Sequence, residues 1–169
     1  MTDYTIGFDT AVNTALDAID RIRDTASSHD RVFFIEVMGR DSGYIAIQSG
    51  IGGGAELVMV PEVLTPISEV VETLQQGWTR SKSSSIVVIA EGDEAGDAAT
   101  VAEKIRQEIV GDINMRVTTL GHTQRGGSPS AADRILASRL GLGALEGLLA
   151  GQKNVMAGII NNNLVYTPF

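Results

Sequence analysis

Apolar and polar positions along the chain alternate between a helical and an extended period. Val12, Leu16, Ile19 and Ile22 recur at helical spacing, with Asp17, Asp20, Arg21 and Asp24 on the other faces. This predicts an amphipathic helix of about five turns. The run Arg31-Val-Phe-Phe-Ile-Glu-Val-Met38 is almost continuously apolar, the pattern of a strand buried on both faces. A short helix is expected over 42–49, then a glycine cluster, then a strand over 57–60 closed by Pro61. The spacing next predicts a helix over 65–78, with Pro66 tolerated only in its first turn. After it come a strand over 85–90, a helix over 97–109, a strand over 114–120 and a long helix over 129–150. The tail, 154–166, reads as two short strands turned around Asn161-Asn162-Asn163. Apolar strands alternating with helices give an α/β fold, a three-layer α/β/α sandwich around a mostly parallel, Rossmann-like sheet. The 169 residues suit one domain spanning 1–169.

Composition narrows the function classes. Thirteen Lys and Arg against 21 Asp and Glu give a formal charge of −8, and no basic tract offers a nucleic-acid footprint. The absence of cysteine excludes a disulfide framework and thiolate metal sites, and fits a reducing, cytoplasmic compartment. His29 and His122 are the only histidines and lie far apart, so no dedicated metal site is expected. No apolar run approaches the roughly 20 residues that span a bilayer, and the first residues carry no basic or apolar leader signal. Glycine is abundant, 19 residues, which suits many tight backbone turns.

In such sheets ligands bind beyond the carboxyl ends of the strands, here Met38-Gly39-Arg40, Glu91-Gly92-Asp93 and Leu120 to Gly127. The segment Gly121-His-Thr-Gln-Arg-Gly-Gly-Ser-Pro-Ser130 leads into the long helix, with Ser128 as N-cap and Pro129 as first helical residue. Free amides and the helix dipole, beside Arg125, His122 and Arg116, make a candidate phosphate clamp. An ordinary strand-to-helix connection would use the same glycines only to turn. Arg40 offers a fork of donors for phosphate, or simply a solvated strand end, and Glu91 could accept hydrogen bonds from sugar hydroxyls or face water. Gly50-Ile-Gly-Gly-Gly-Ala55 matches the dinucleotide fingerprint in letters but follows a helix and precedes a strand, the reverse of what that fingerprint requires.

These stretches resemble the fructose 6-phosphate-binding half of the 6-phosphofructokinase family. The likeness rests on Thr2-Asp-Tyr-Thr-Ile-Gly-Phe8, Ala18 to His29, Glu36-Val-Met-Gly-Arg40, Gly53-Gly-Ala-Glu56 with Pro61-Glu62, and Gly121 to Pro129 followed by Asp133-Arg-Ile-Leu-Ala-Ser-Arg139, in family order. The resemblance implies that Arg116 and His122 hold the 6-phosphate with Arg125 close by. It implies that Met38 and Glu91 contact the sugar, that Gly39 shapes the pocket, and that Arg40 stabilises the transferring phosphoryl group. Arg31 would reach the site of a neighbouring subunit in a dimer or tetramer. Arg23, Gly54, Glu56, Arg80 and Lys82 match a nucleotide (ADP) and phosphoenolpyruvate effector site, although Ser84 stands where a basic residue is frequent. The nucleotide half, which binds Mg2+ with ATP or pyrophosphate, and the Thr-Ile-Asp-Asn-Asp motif with the catalytic base both precede this region in the family. The chain alone is therefore expected to bind substrate but not to turn it over. A non-catalytic sugar-phosphate-binding or regulatory module is the alternative.

Overall fold

The computed structural model describes residues 2–26, 31–79, 84–109 and 113–169. Their contacts fall into two compact units, 11–127 and a smaller one made of the first ten residues with 128–169.

The larger unit is a wholly parallel four-stranded sheet. Its strands are β1 (Arg31–Val37), β2 (Leu57–Met59), β3 (Ser84–Ala90) and β4 (Asn114–Thr119), in spatial order β2-β3-β1-β4. β1 and β3 are central and buried on both faces, which is why their sequences are almost continuously apolar. On one face Phe33, Ile35, Val37, Ile86 and Val88 pack against Ala15 and Ile19 of α1 (Phe8–Ala26) and Ala46 of α2 (Tyr44–Gly52). On the other, Val32, Phe34, Val87 and Ile89 meet Val70, Val71 and Leu74 of α3 (Ile67–Thr79) and Val101, Ala102 and Ile105 of α4 (Ala98–Glu108). The three-layer α/β/α arrangement expected from the pattern is the one found.

The strand ends are level, and this places the site. Residue 37 of β1 lies opposite Ala90 of β3. Beyond the regular ladders, Glu91 N donates to Val37 O at 3.0 Å and Leu120 N to Glu36 O at 3.0 Å. The turns after β1, β3 and β4 therefore emerge side by side.

The smaller unit packs α5 (Ala131–Leu149) against a hairpin of β5 (Val155–Ile160) and β6 (Asn163–Pro168). Asn161 and Asn162 form its two-residue turn with φ of 49° and 63°, the left-handed pair that asparagine tolerates and a type I′ hairpin needs. Gly143 and Gly147 are buried, and a Cβ on either would strike Leu164 or Tyr166. Their missing side chains let the helix lie on the hairpin, where Tyr166 OH donates to Gly143 O at 2.6 Å. The helix begins two residues later than its sequence suggests. Ser130, not Ser128, is the N-cap, its Oγ accepting from Asp133 N at 3.2 Å, and Pro129 precedes the cap.

Candidate phosphate-binding site

The turn after β1 is held in an unusual shape. Arg40 has φ 55°, a left-handed conformation that costs a residue with a side chain about 1–2 kcal/mol. Gly39 precedes it, and a Cβ there would fall inside the Ser42 carbonyl oxygen. Ser42 N closes the turn on Gly39 O at 3.1 Å. Two carboxylates hold this turn from outside. Glu91 Oε1 accepts from Arg40 N at 2.7 Å and from Gly39 N at 3.3 Å. Glu62 accepts from Gly43 N with both oxygens, at 2.9 and 3.0 Å, so the N-terminus of α2 is capped by a residue 19 positions away. Gly92 allows a further close approach, because a Cβ there would overlap the Arg40 carbonyl oxygen.

After β4 the chain folds into a short 3-10 turn, Gly121–Arg125. Thr123 Oγ1 donates back to Leu120 O at 2.6 Å. The turn leaves His122, Thr123 and Arg125 exposed while Gln124 is buried. Gln124 was not singled out by the sequence; its Oε1 accepts from Met38 N at 2.8 Å.

Met38, Gly39, Arg40, Glu91, His122 and Arg125 thus share the carboxyl edge of the sheet. Glu91 spends one oxygen on the backbone of the Arg40 turn, a role its position after a strand did not reveal. Two arginines, a histidine and a carboxylate on adjacent turns can bind an anion and hydroxyls together.

Arg116 stands elsewhere. It lies opposite Phe33, the third of β1's seven residues, about 13 Å along the strand from Val37 at 3.3 Å per residue. Paired residues of parallel strands share a face, and so do residues two apart. Arg116 therefore shares a face with Arg31, at the amino half of the sheet. Arg31 Nε is buried with no hydrogen-bond partner among the described residues.

The residues matched to an effector site are brought together in part. Arg23 Nη2 donates to Gly53 O and, at 3.0 Å, to Gly54 O, where the carbonyls at the end of α2 favour a cation. Glu56 Oε2 accepts from Ile86 N at 2.5 Å. Arg80 and Lys82 lie outside the described residues, as does His29. Among the described residues no three His, Cys, Asp or Glu converge as a metal site. No helix among them is long and apolar enough to cross a membrane.

The family model for phosphofructokinase matches residues 1–148. The ATP-dependent 6-phosphofructokinase of Cytophaga hutchinsonii is 59% identical over 167 residues, which is 99% of this chain and 51% of that protein. ATP-dependent 6-phosphofructokinase 1 of Thermus thermophilus is 58% identical with the same coverage. The chain thus spans about half the length of the curated relatives it matches. Among solved structures, the phosphofructokinase of Saccharomyces cerevisiae superposes with a TM-score of 0.86 at 34% identity, over 99% of this chain and 23% of that one. A pyrophosphate-dependent phosphofructokinase from Marinobacter aquaeolei gives 0.75 at 25% identity, over 96% and 44%.

Proposed function

Because this chain belongs to the phosphofructokinase family, we propose that it is the sugar-phosphate half of an enzyme that phosphorylates O1 of fructose 6-phosphate. The product would be fructose 1,6-bisphosphate. The observation that carries this reading is the alignment of Arg40, Glu91, His122 and Arg125 on three adjacent turns at the carboxyl edge of one sheet.

In this reading His122 and Arg125 hold the 6-phosphate, Arg125 as a bidentate donor. Met38 and Gly39 wall the sugar, and Glu91 accepts from a hydroxyl through the oxygen that the Gly39–Arg40 amides leave over. Arg40 points its charge toward the transferring phosphoryl group, whose spreading negative charge is where such a transfer needs help. The relatives at 58–59% identity are named ATP-dependent, which favours MgATP over pyrophosphate as donor. When bound, the magnesium nucleotide supplies the phosphoryl group, and no residue described here is assigned to the metal. Arg31, with Arg116 on the same face, is proposed to serve a neighbouring copy in a dimer or tetramer. Arg23, Gly54 and Glu56, with Arg80 and Lys82, are proposed to take an ADP or phosphoenolpyruvate effector. The setting is glycolysis in the cytoplasm.

A calorimetric titration tests the acceptor site. The chain should bind fructose 6-phosphate, and Arg125→Ala should weaken binding about ten- to a hundredfold, the worth of one charge-assisted contact of about 1.5–3 kcal/mol. Equal affinity in the variant would remove Arg125 from the site; no binding by the parent chain would contradict a self-contained acceptor site.

A further inference from the structure

We propose that Gln124 is a positioning residue that locks the turn bearing His122 and Arg125 to the turn bearing Met38, Gly39 and Arg40; its effect on ligand binding rests on the sugar-phosphate reading above. Gln124 is 1% exposed although its neighbours face solvent. Both ends of its side chain are engaged: Oε1 accepts from Met38 N at 2.8 Å, and Nε2 donates to Ala11 O in α1 at 3.3 Å.

The register explains why an amide is needed. Leu120 N donates to Glu36 O, and the next bond of a parallel ladder would run from Met38 N to Leu120 O. That carbonyl is instead taken by the N–H and hydroxyl of Thr123 as the chain turns. The Gln124 side chain supplies the missing acceptor and continues the ladder for one residue in place of the backbone. A neutral side chain of this length with an acceptor and a donor is an amide. Both partners are partly buried, so removing it leaves Met38 N without its acceptor and costs Ala11 O, already inside α1, a second donor. The consequence is local: the β1 end and the 3-10 turn lose their common reference, and with it the spacing between Arg40 and the His122–Arg125 pair.

The test uses the chain with two substitutions. Gln124→Met keeps length and volume but offers neither bond; Gln124→Glu keeps the acceptor for Met38. Amide hydrogen exchange at Met38 should accelerate about tenfold or more in Gln124→Met while Phe34 in the strand core stays as in the parent. Fructose 6-phosphate affinity should fall about tenfold, and Gln124→Glu should recover part of both losses. Unchanged exchange at Met38 would overturn the proposal. So would equal acceleration at Met38 and Phe34, which marks a merely structural role, or local acceleration without loss of affinity. A parent chain that takes up no fructose 6-phosphate would instead defeat the functional reading, and the exchange rates alone would then decide the role of Gln124.

Discussion

Asp133→Ala should destabilise the smaller unit by about 3 kcal/mol or more, read as a fall of roughly 6–12 °C in melting temperature. Gly7, immediately before α1, has no side chain to cap that helix and itself sits at φ 92°. Asp133, 3% exposed on α5, caps it from a distance. Its carboxylate accepts from Gly7 N at 2.9 Å, from Thr10 N at 2.8 Å and from the Thr10 hydroxyl. Thr10 Oγ1 in turn accepts from Ser130 N at 3.0 Å, so truncating Asp133 leaves Gly7 N, Thr10 N and the Thr10 hydroxyl without their acceptor and loosens the start of α5. Each lost bond to a charged group is worth about 1.5–3 kcal/mol before relaxation and water recover part of it.

The same carboxylate sets a pH dependence. Burial alone would push the Asp133 carboxyl up, but the Thr10 hydroxyl and the amides of Gly7 and Thr10 together outweigh it and hold the group below the usual carboxylate range. A depressed value in the folded state means stability that is fully present above the unfolded value, about 3.9, and lost as pH falls through the folded one. The stability advantage of the parent over Asp133→Asn should therefore be constant near neutral pH and shrink below about pH 4. A constant gap down to pH 2 in denaturant titrations would show that the carboxylate charge is not what α1 depends on.

Gly39→Ala should cost fructose 6-phosphate binding about thirtyfold or more while leaving the sheet folded. The added Cβ would lie within the Ser42 carbonyl oxygen, a backbone atom that cannot swing aside as a flexible side chain would. Overpacking of this kind costs about 1–3 kcal/mol, and relieving it reopens the turn that Ser42 N closes on Gly39 O. Arg40 then leaves its left-handed conformation, and Glu91 loses the paired amides of Gly39 and Arg40. Calorimetry of the variant beside the parent reads the loss. Equal affinity would show that the Arg40 turn takes no part in holding the ligand.

Much of the architecture is local and so was legible in sequence. β1 and β3 announce themselves by nearly unbroken apolar runs because both their faces are covered. The hairpin turn was visible in Asn161 and Asn162, since few residues other than glycine accept a left-handed pair. The start of α5 was misplaced because Ser128 and Ser130 are equally good caps in isolation; the Asp133 amide selects Ser130. The supports of the site were hidden for a different reason. Glu91 reaches Arg40 across 51 residues, Gln124 reaches Met38 across 86 and Asp133 reaches Gly7 across 126. A carboxylate or amide after a strand or inside a helix carries no local mark of such a partner. Position along a strand was equally hidden: Arg116 and His122 are six residues apart in sequence, yet only His122 lies beyond the carboxyl edge. The motif after β4 stood out in sequence because arginine and histidine among glycines at a strand end have few structural uses.

The sugar phosphate is proposed to bind at the carboxyl edge of the parallel sheet. Titrating the isotope-labelled chain with fructose 6-phosphate and following backbone amide resonances tests it most directly. Shifts should concentrate at Met38, Gly39 and Arg40, at Glu91, and from Gly121 to Gly127, with Arg23, Gly54, Glu56 and the β5–β6 hairpin unmoved. Shifts confined to those latter residues, or none at saturating ligand, would contradict it.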